Sequence, residues 1–122
     1  MLIRNIDDTP RTPVEMEGVK DTTMAVMVGR DDHAPNFAVR QFQVEPGGHT
    51  PHHSHDFEHE VYIVAGTGEV LLEGEYRPIR QGDVLFVPAE EVHQFRATGP
   101  EPLRFLCMVP MTRSCGDPVP AS

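Results

Sequence analysis

The clearest pattern in the chain is a two-residue alternation. In residues 103–109, Leu103, Phe105, Cys107 and Val109 share a face opposite Arg104. Residues 37–45 repeat it, with Arg40, Phe42 and Val44 on one side and Gln41, Gln43 and Glu45 on the other. A period of two belongs to a half-buried strand, so the apolar sets should point into a core. Shorter runs predict further strands at residues 2–6, 14–16, 23–28, 61–65, 69–73, 76–79, 84–88 and 92–97. The stretches DDTPRTP, GRDDHAPN, EPGG, AGTG, RQGD and TGPEP read as the turns between them. The glycines of AGTG suit a tight hairpin. Twelve prolines and ten glycines in 122 residues argue against long helices. Many short strands with regular turn signals predict an all-β sandwich or barrel, and a small barrel binds its ligands at the mouth.

Length and charge narrow the picture. A chain of 122 residues is one domain, here expected over residues 1–110 with a loose tail at 111–122. The formal charge of -9, with no basic stripe, speaks against nucleic acid and anionic membranes as partners. No run approaches a membrane span. The opening MLIRNIDDTP lacks the apolar core of a secretory signal, so a cytoplasmic protein is expected. Cys107, in an apolar strand, and Cys115, in a Pro/Gly-rich tail, do not read as a disulfide framework; a single bridge between them stays open but is not expected in that compartment.

Candidate chemistry is concentrated in GGHTPHHSHDFEHEVYIVAGTG, residues 47–68, which holds five of the seven histidines. On an extended strand His53 and His55 project from the same face. His59 opens the next apolar run after the DFE connection and can aim a third imidazole at the same point. His93 waits downstream. Neutral imidazole binds zinc, iron, nickel, copper and similar ions. Taken alone, the stretch is equally what an exposed, histidine-rich acidic loop looks like. His33 reads as an exposed loop histidine, and His49 and His52 as rim residues. Arg40 either turns inward toward an anion or water-filled pocket, or snorkels past its strand end.

These residues resemble the cupins, a family with two motifs. Gly47, His53 and His55 fit the front of G-x5-H-x-H-x3/4-E-x6-G, and Gly82, Pro88 and His93 fit G-x5-P-x-G-x2-H-x3-N. Glu90 and Ala97 replace the second motif's glycine and asparagine, neither of them a ligand position. The family's glutamate maps to Glu60 by its distance from His55, but Glu60 is then one residue too close to Gly66; His59 satisfies both gaps. Strand parity lets only one of these neighbours face the metal. The chain is therefore similar to the small four-histidine, manganese-type cupins.

The resemblance implies a double-stranded β-helix, or jelly-roll barrel, over residues 37–109. It implies a divalent metal on His53, His55, His59 and His93, manganese first and iron next. All-imidazole ligation leaves zinc, nickel and copper open. Glu60, or Glu58, would accept the second ring N–H of a ligand and fix its tautomer. Parity puts Phe95 near His93, with Phe105 and Cys107 on the facing wall and Arg40 available to a carboxylate. Cys107 also has a plain packing role open to it. The function implied is an oxidoreductase of dioxygenase type acting on a small organic molecule. Metal-dependent binding of a small acid or sugar without turnover, and Lewis-acid isomerase or lyase chemistry, remain alternatives. A homodimer formed through sheet edges is expected.

Overall fold

Alternation becomes burial in the strand formed by Leu103–Pro110. Its odd-numbered residues are buried and its even-numbered residues half-exposed throughout. The computed structural model describes residues 1–111. The tail expected at 111–122 lies outside the described residues apart from Met111. Among the described residues the strands are β1 (Thr12–Pro13), β2 (Lys20–Val28), β3 (Phe37–His49), β4 (His59–Ala65), β5 (Thr67–Leu72), β6 (Glu75–Arg80), β7 (Val84–Val87), β8 (Gln94–Ala97) and β9 (Leu103–Pro110). Short 3-10 turns occupy Ile6–Asp8 and Arg30–Asp32.

The strands form one antiparallel sheet in the order β6-β5-β8-β3-β9-β4-β7, with β2 on β3 and β1 on β2. The sheet curls, so that its inner face closes on a single apolar cluster, the arrangement of a cupin jelly roll. That cluster takes Met24 from β2, Phe42 and Val44 from β3, Val61 and Ile63 from β4, Val70 from β5, Leu85 and Val87 from β7, Phe95 from β8 and Leu103, Phe105 and Val109 from β9. Phe105 stacks between Phe42 and Phe95, at centroid distances of 5.3 and 4.5 Å. Burying each such ring or aliphatic side chain contributes roughly 1.5–3 kcal/mol. No helix among the described residues is long and apolar enough to cross a membrane.

The AGTG stretch does not make the hairpin expected of it. β4 pairs with β7 and β9 and β5 with β6 and β8, so the chain crosses there from one part of the sheet to another, and the hairpin lies instead between β5 and β6. Gly66 has φ +86°, and a Cβ there would collide with the Pro102 carbonyl oxygen. Only glycine suits both conditions.

Three further local expectations change. Residues 2–6 form no strand; the segment enters the Ile6–Asp8 turn, where the Asn5 side chain accepts the Asp7 N–H at 2.8 Å. Arg4 anchors it, donating to the Met27 carbonyl at 2.7 Å and to both Asp32 oxygens at 2.9 and 3.0 Å. The strand expected at 14–16 lies earlier, at Thr12–Pro13, with the Val14 N–H continuing to the Thr22 carbonyl. EPGG is no turn. β3 runs through it to His49, because Gly47 takes φ +83° and the β2–β3 register jumps from Thr22↔Val44 to Lys20↔His49. A bulge of this kind bends a strand without ending it. The bend lets β3 leave β9, which it accompanies to Val44, and pair with β8 at His49↔Arg96. Residues 50–53 are thereby delivered to the mouth of the barrel.

Candidate metal centre

His53 and His55 do not sit on a regular strand. They lie in the connection between β3 and β4, where the backbone makes an isolated bridge between His53 and His93. The His53 N–H donates to the His93 carbonyl at 3.2 Å, and the His93 N–H to the His53 carbonyl at 2.9 Å. Beyond this bridge, the Glu90 N–H donates to the His55 carbonyl at 2.6 Å. Phe57 is buried and stacks on the His55 ring at 4.5 Å. These contacts fix the loop against the approach to β8, and both rings turn toward His93. His59 begins β4, opposite Val87 of β7.

The four rings gather in one place. Centroid separations are 4.3 Å for His53–His55, 4.9 Å for His53–His93 and His55–His93, 5.0 Å for His55–His59 and 4.7 Å for His59–His93. His53, His55 and His93 each offer a ligating atom within 4.8 Å of the other two, a set that could hold a metal ion. His59 stands next to this set without belonging to it.

Hydrogen bonds determine which nitrogen each ring presents. The Nδ1 atoms of His53 and His93 lie 2.9 Å from the carbonyls of Pro51 and Glu91. A carbonyl only accepts, so Nδ1 carries the proton and Nε2 the lone pair. His59 Nδ1 lies 3.0 Å from Cys107 Sγ. Among the described residues, Nε2 of His59 and of His93 is buried with no hydrogen-bond partner. The Nε2 atoms of His53 and His55 face each other at 2.6 Å. Buried, unsatisfied nitrogens are costly. A cation at their centre would satisfy them together, so the residues fit a metal.

Protonation agrees with that fit. Burial, reinforced by the neighbouring imidazoles, pushes His55 down to about 3. His93 is lowered to about 4, mainly by burial and against the Glu91 carbonyl bond, which raises it. Both rings are therefore neutral at pH 7, as ligation requires.

A cavity of about 20 Å³ adjoins the cluster, lined by His53, His59 and His93 and walled by Val14, Phe42, Phe95 and Phe105. That is room for about one water molecule, in apolar surroundings. Phe95 and Phe105 stand where parity placed them. Phe42 and Val14 were not foreseen as wall residues. The alternation at 37–45 already turned Phe42 inward; nothing in the sequence marks Val14, which a two-residue strand carries over the opening.

Arg40 takes the inward of its two positions, at 7% exposure, beside Cys107 in the β3–β9 register. It is not without an interaction partner, and neither Arg40 nor Cys107 lines the cavity. Glu60 lies on the opposite face of β4 from His59. There it hydrogen bonds to Glu58, which holds its carboxyl above the usual range. The second ring nitrogens of His53, His93 and His59 lie against Pro51, Glu91 and Cys107 instead, and Nδ1 of His55 is buried with no hydrogen-bond partner among the described residues. His52 is exposed, and His49 Nδ1 lies 3.2 Å from the Thr50 carbonyl.

A family model described as Cupin domain matches residues 40–109. The chain is 30% identical to 5-nitrosalicylic acid 1,2-dioxygenase of Bradyrhizobium sp over 100 residues, covering 80% of this chain and 48% of that protein. It is 38% identical over 71 residues to 1-methylthio-D-xylulose 5-phosphate methylsulfurylase of Rhodospirillum rubrum, covering 58% and 46%. The chain thus spans about half the length of these curated relatives. Among solved structures, the polyketide cyclase RemF from Streptomyces resistomycificus superposes with a TM-score of 0.86 at 31% identity, over 91% of this chain and 80% of that one. With its family match, its curled sheet and its histidine cluster, the chain belongs to the cupin family.

Proposed function

We propose that the chain is a metal-dependent oxidoreductase of dioxygenase type, acting on a small organic molecule. His53, His55, His59 and His93 would hold the ion, manganese first and iron next. The observation that carries this reading is the gathering of four buried or half-buried imidazoles in which Nε2 of His59 and of His93 has no hydrogen-bond partner among the described residues, while Nε2 of His53 and of His55 face each other. A bound divalent ion would supply Lewis acidity and, if redox-active, oxygen activation. The four neutral imidazoles bring no charge of their own, which leaves an anionic group on the substrate attractive to the site. Phe42, Phe95 and Phe105 surround the histidines with apolar surface, and the space beside them, room for about one water molecule, would have to widen to admit an organic substrate. The likeness to a protein named as a nitrosalicylate dioxygenase supports the oxidative reading.

A second reading is Lewis-acid chemistry without redox, as an isomerase or lyase. The superposition on a structure named as a polyketide cyclase favours it. Oxygen uptake separates the two. Protein reconstituted with manganese or iron, but not with zinc, should consume oxygen with some members of a panel of small aromatic and aliphatic acids. Equal turnover with zinc would support the second reading. No uptake with any substrate, together with ligand-dependent thermal stabilisation, would leave a metal-dependent binder of a small acid or sugar. The chain is further proposed to form a homodimer through a sheet edge. β7 ends the sheet and exposes Val84 at 73% and Phe86 at 59%, a liability that a partner strand would cover.

A further inference from the structure

We propose that Cys107 is a positioning residue for His59: its sulfur accepts the Nδ1–H of the imidazole and turns the Nε2 lone pair toward the ring cluster. The inference rests on the reading of His59 as the fourth ligand. Sγ and Nδ1 are 3.0 Å apart, and the two residues are 0% and 1% exposed. They stand on adjacent strands of the sheet, where Val61 of β4 pairs with Cys107 of β9. The contact is thus made between two regular elements rather than across a loop.

The comparison with the other rings gives the contact its meaning. His53 and His93 each place Nδ1 against a carbonyl, which fixes their tautomer outright. His59 starts a strand, and its backbone neighbours are spent in pairing with β7 and β9. A side chain from the next strand therefore does for His59 what a carbonyl does for the other two. Of the two possible directions we take N–H to sulfur, because a ligating Nε2 must be bare and the ring proton of the neutral imidazole then sits on Nδ1. That direction leaves Nε2, which is buried and has no partner among the described residues, free to ligate. Partners of this kind orient metal-bound imidazoles, and losing one typically costs metal affinity 10–100-fold.

The test is nitrogen NMR on metal-free protein carrying ¹⁵N-histidine, joined to calorimetric titration with Mn²⁺. In the wild type, His59 should be protonated at Nδ1 and bare at Nε2. Cys107→Ala should shift the ring toward the other tautomer and lower Mn²⁺ affinity by about 10–100-fold. Cys107→Ser, whose hydroxyl also accepts, should recover most of that loss. A wild-type ring protonated at Nε2 would overturn the proposal, and that spectrum needs no variant to fold. Retention of both tautomer and affinity in Cys107→Ala would overturn it equally. Failure of the underlying reading looks different: His59→Ala would bind Mn²⁺ as tightly as the wild type.

Discussion

At the scale of single residues, burial has made His55 and His93 into bases that resist protons. Unfolded, an imidazole titrates near 6.5; folded, His93 does so at about 4 and His55 at about 3. Above 6.5 both states are neutral, and these groups leave stability unchanged. As pH falls below 6.5 the unfolded chain gains protons that the fold excludes, so the metal-free fold loses stability down to about pH 4. For His93, which is 2% exposed, the loss is about 1.4 kcal/mol per pH unit at most. Urea midpoints of metal-free protein should therefore fall between pH 7 and pH 5, and fall less steeply in His93→Gln. Equal slopes would show that His93 charges freely inside the fold. His53→Ala or His93→Ala should weaken Mn²⁺ binding by more than about 100-fold, given that even outer partners cost 10–100-fold; calorimetric titration reads this directly.

At the scale of elements, what was legible depended on whether a local signal had one structural meaning. Alternation at 103–109 had one, and β9 follows it residue by residue. Glycine pairs had two. AGTG became a crossing between two strands that do not pair and EPGG a bulge, because a positive φ at glycine serves a hairpin, a crossing or a bulge alike and only the pairing of the neighbouring strands decides. Residues 2–6 have strand-like side chains but find no partner strand, and Arg4 holds them by ion pairing instead. That the four histidine rings approach one another was legible from motif spacing, even though His53 and His55 reach their places from a bridged loop. Val14 was not, because its role comes from the path of the chain over the mouth. Gly66→Ala should cost about 1–3 kcal/mol, read as a lowered urea midpoint with secondary structure retained. Unchanged stability would mean that the Pro102 carbonyl can move aside.

At the scale of the whole molecule, the curled sheet brings residues distant in sequence to one interior point: His53 and His55 from one connection, His59 from β4 and His93 from the approach to β8. The same construction leaves β7 unpaired on its far side. The wild type should run as a dimer in light-scattering chromatography, and Val84→Glu with Phe86→Glu should run as a monomer with metal affinity kept. A wild-type monomer would remove the edge from the proposed assembly. The most direct measurement is anomalous diffraction from crystals of Mn²⁺-loaded protein. One strong peak should lie bonded to Nε2 atoms of His53, His59 and His93 and to a ring nitrogen of His55, with Glu60 turned away. A peak elsewhere, or a carboxylate in place of His59, would contradict the four-imidazole centre.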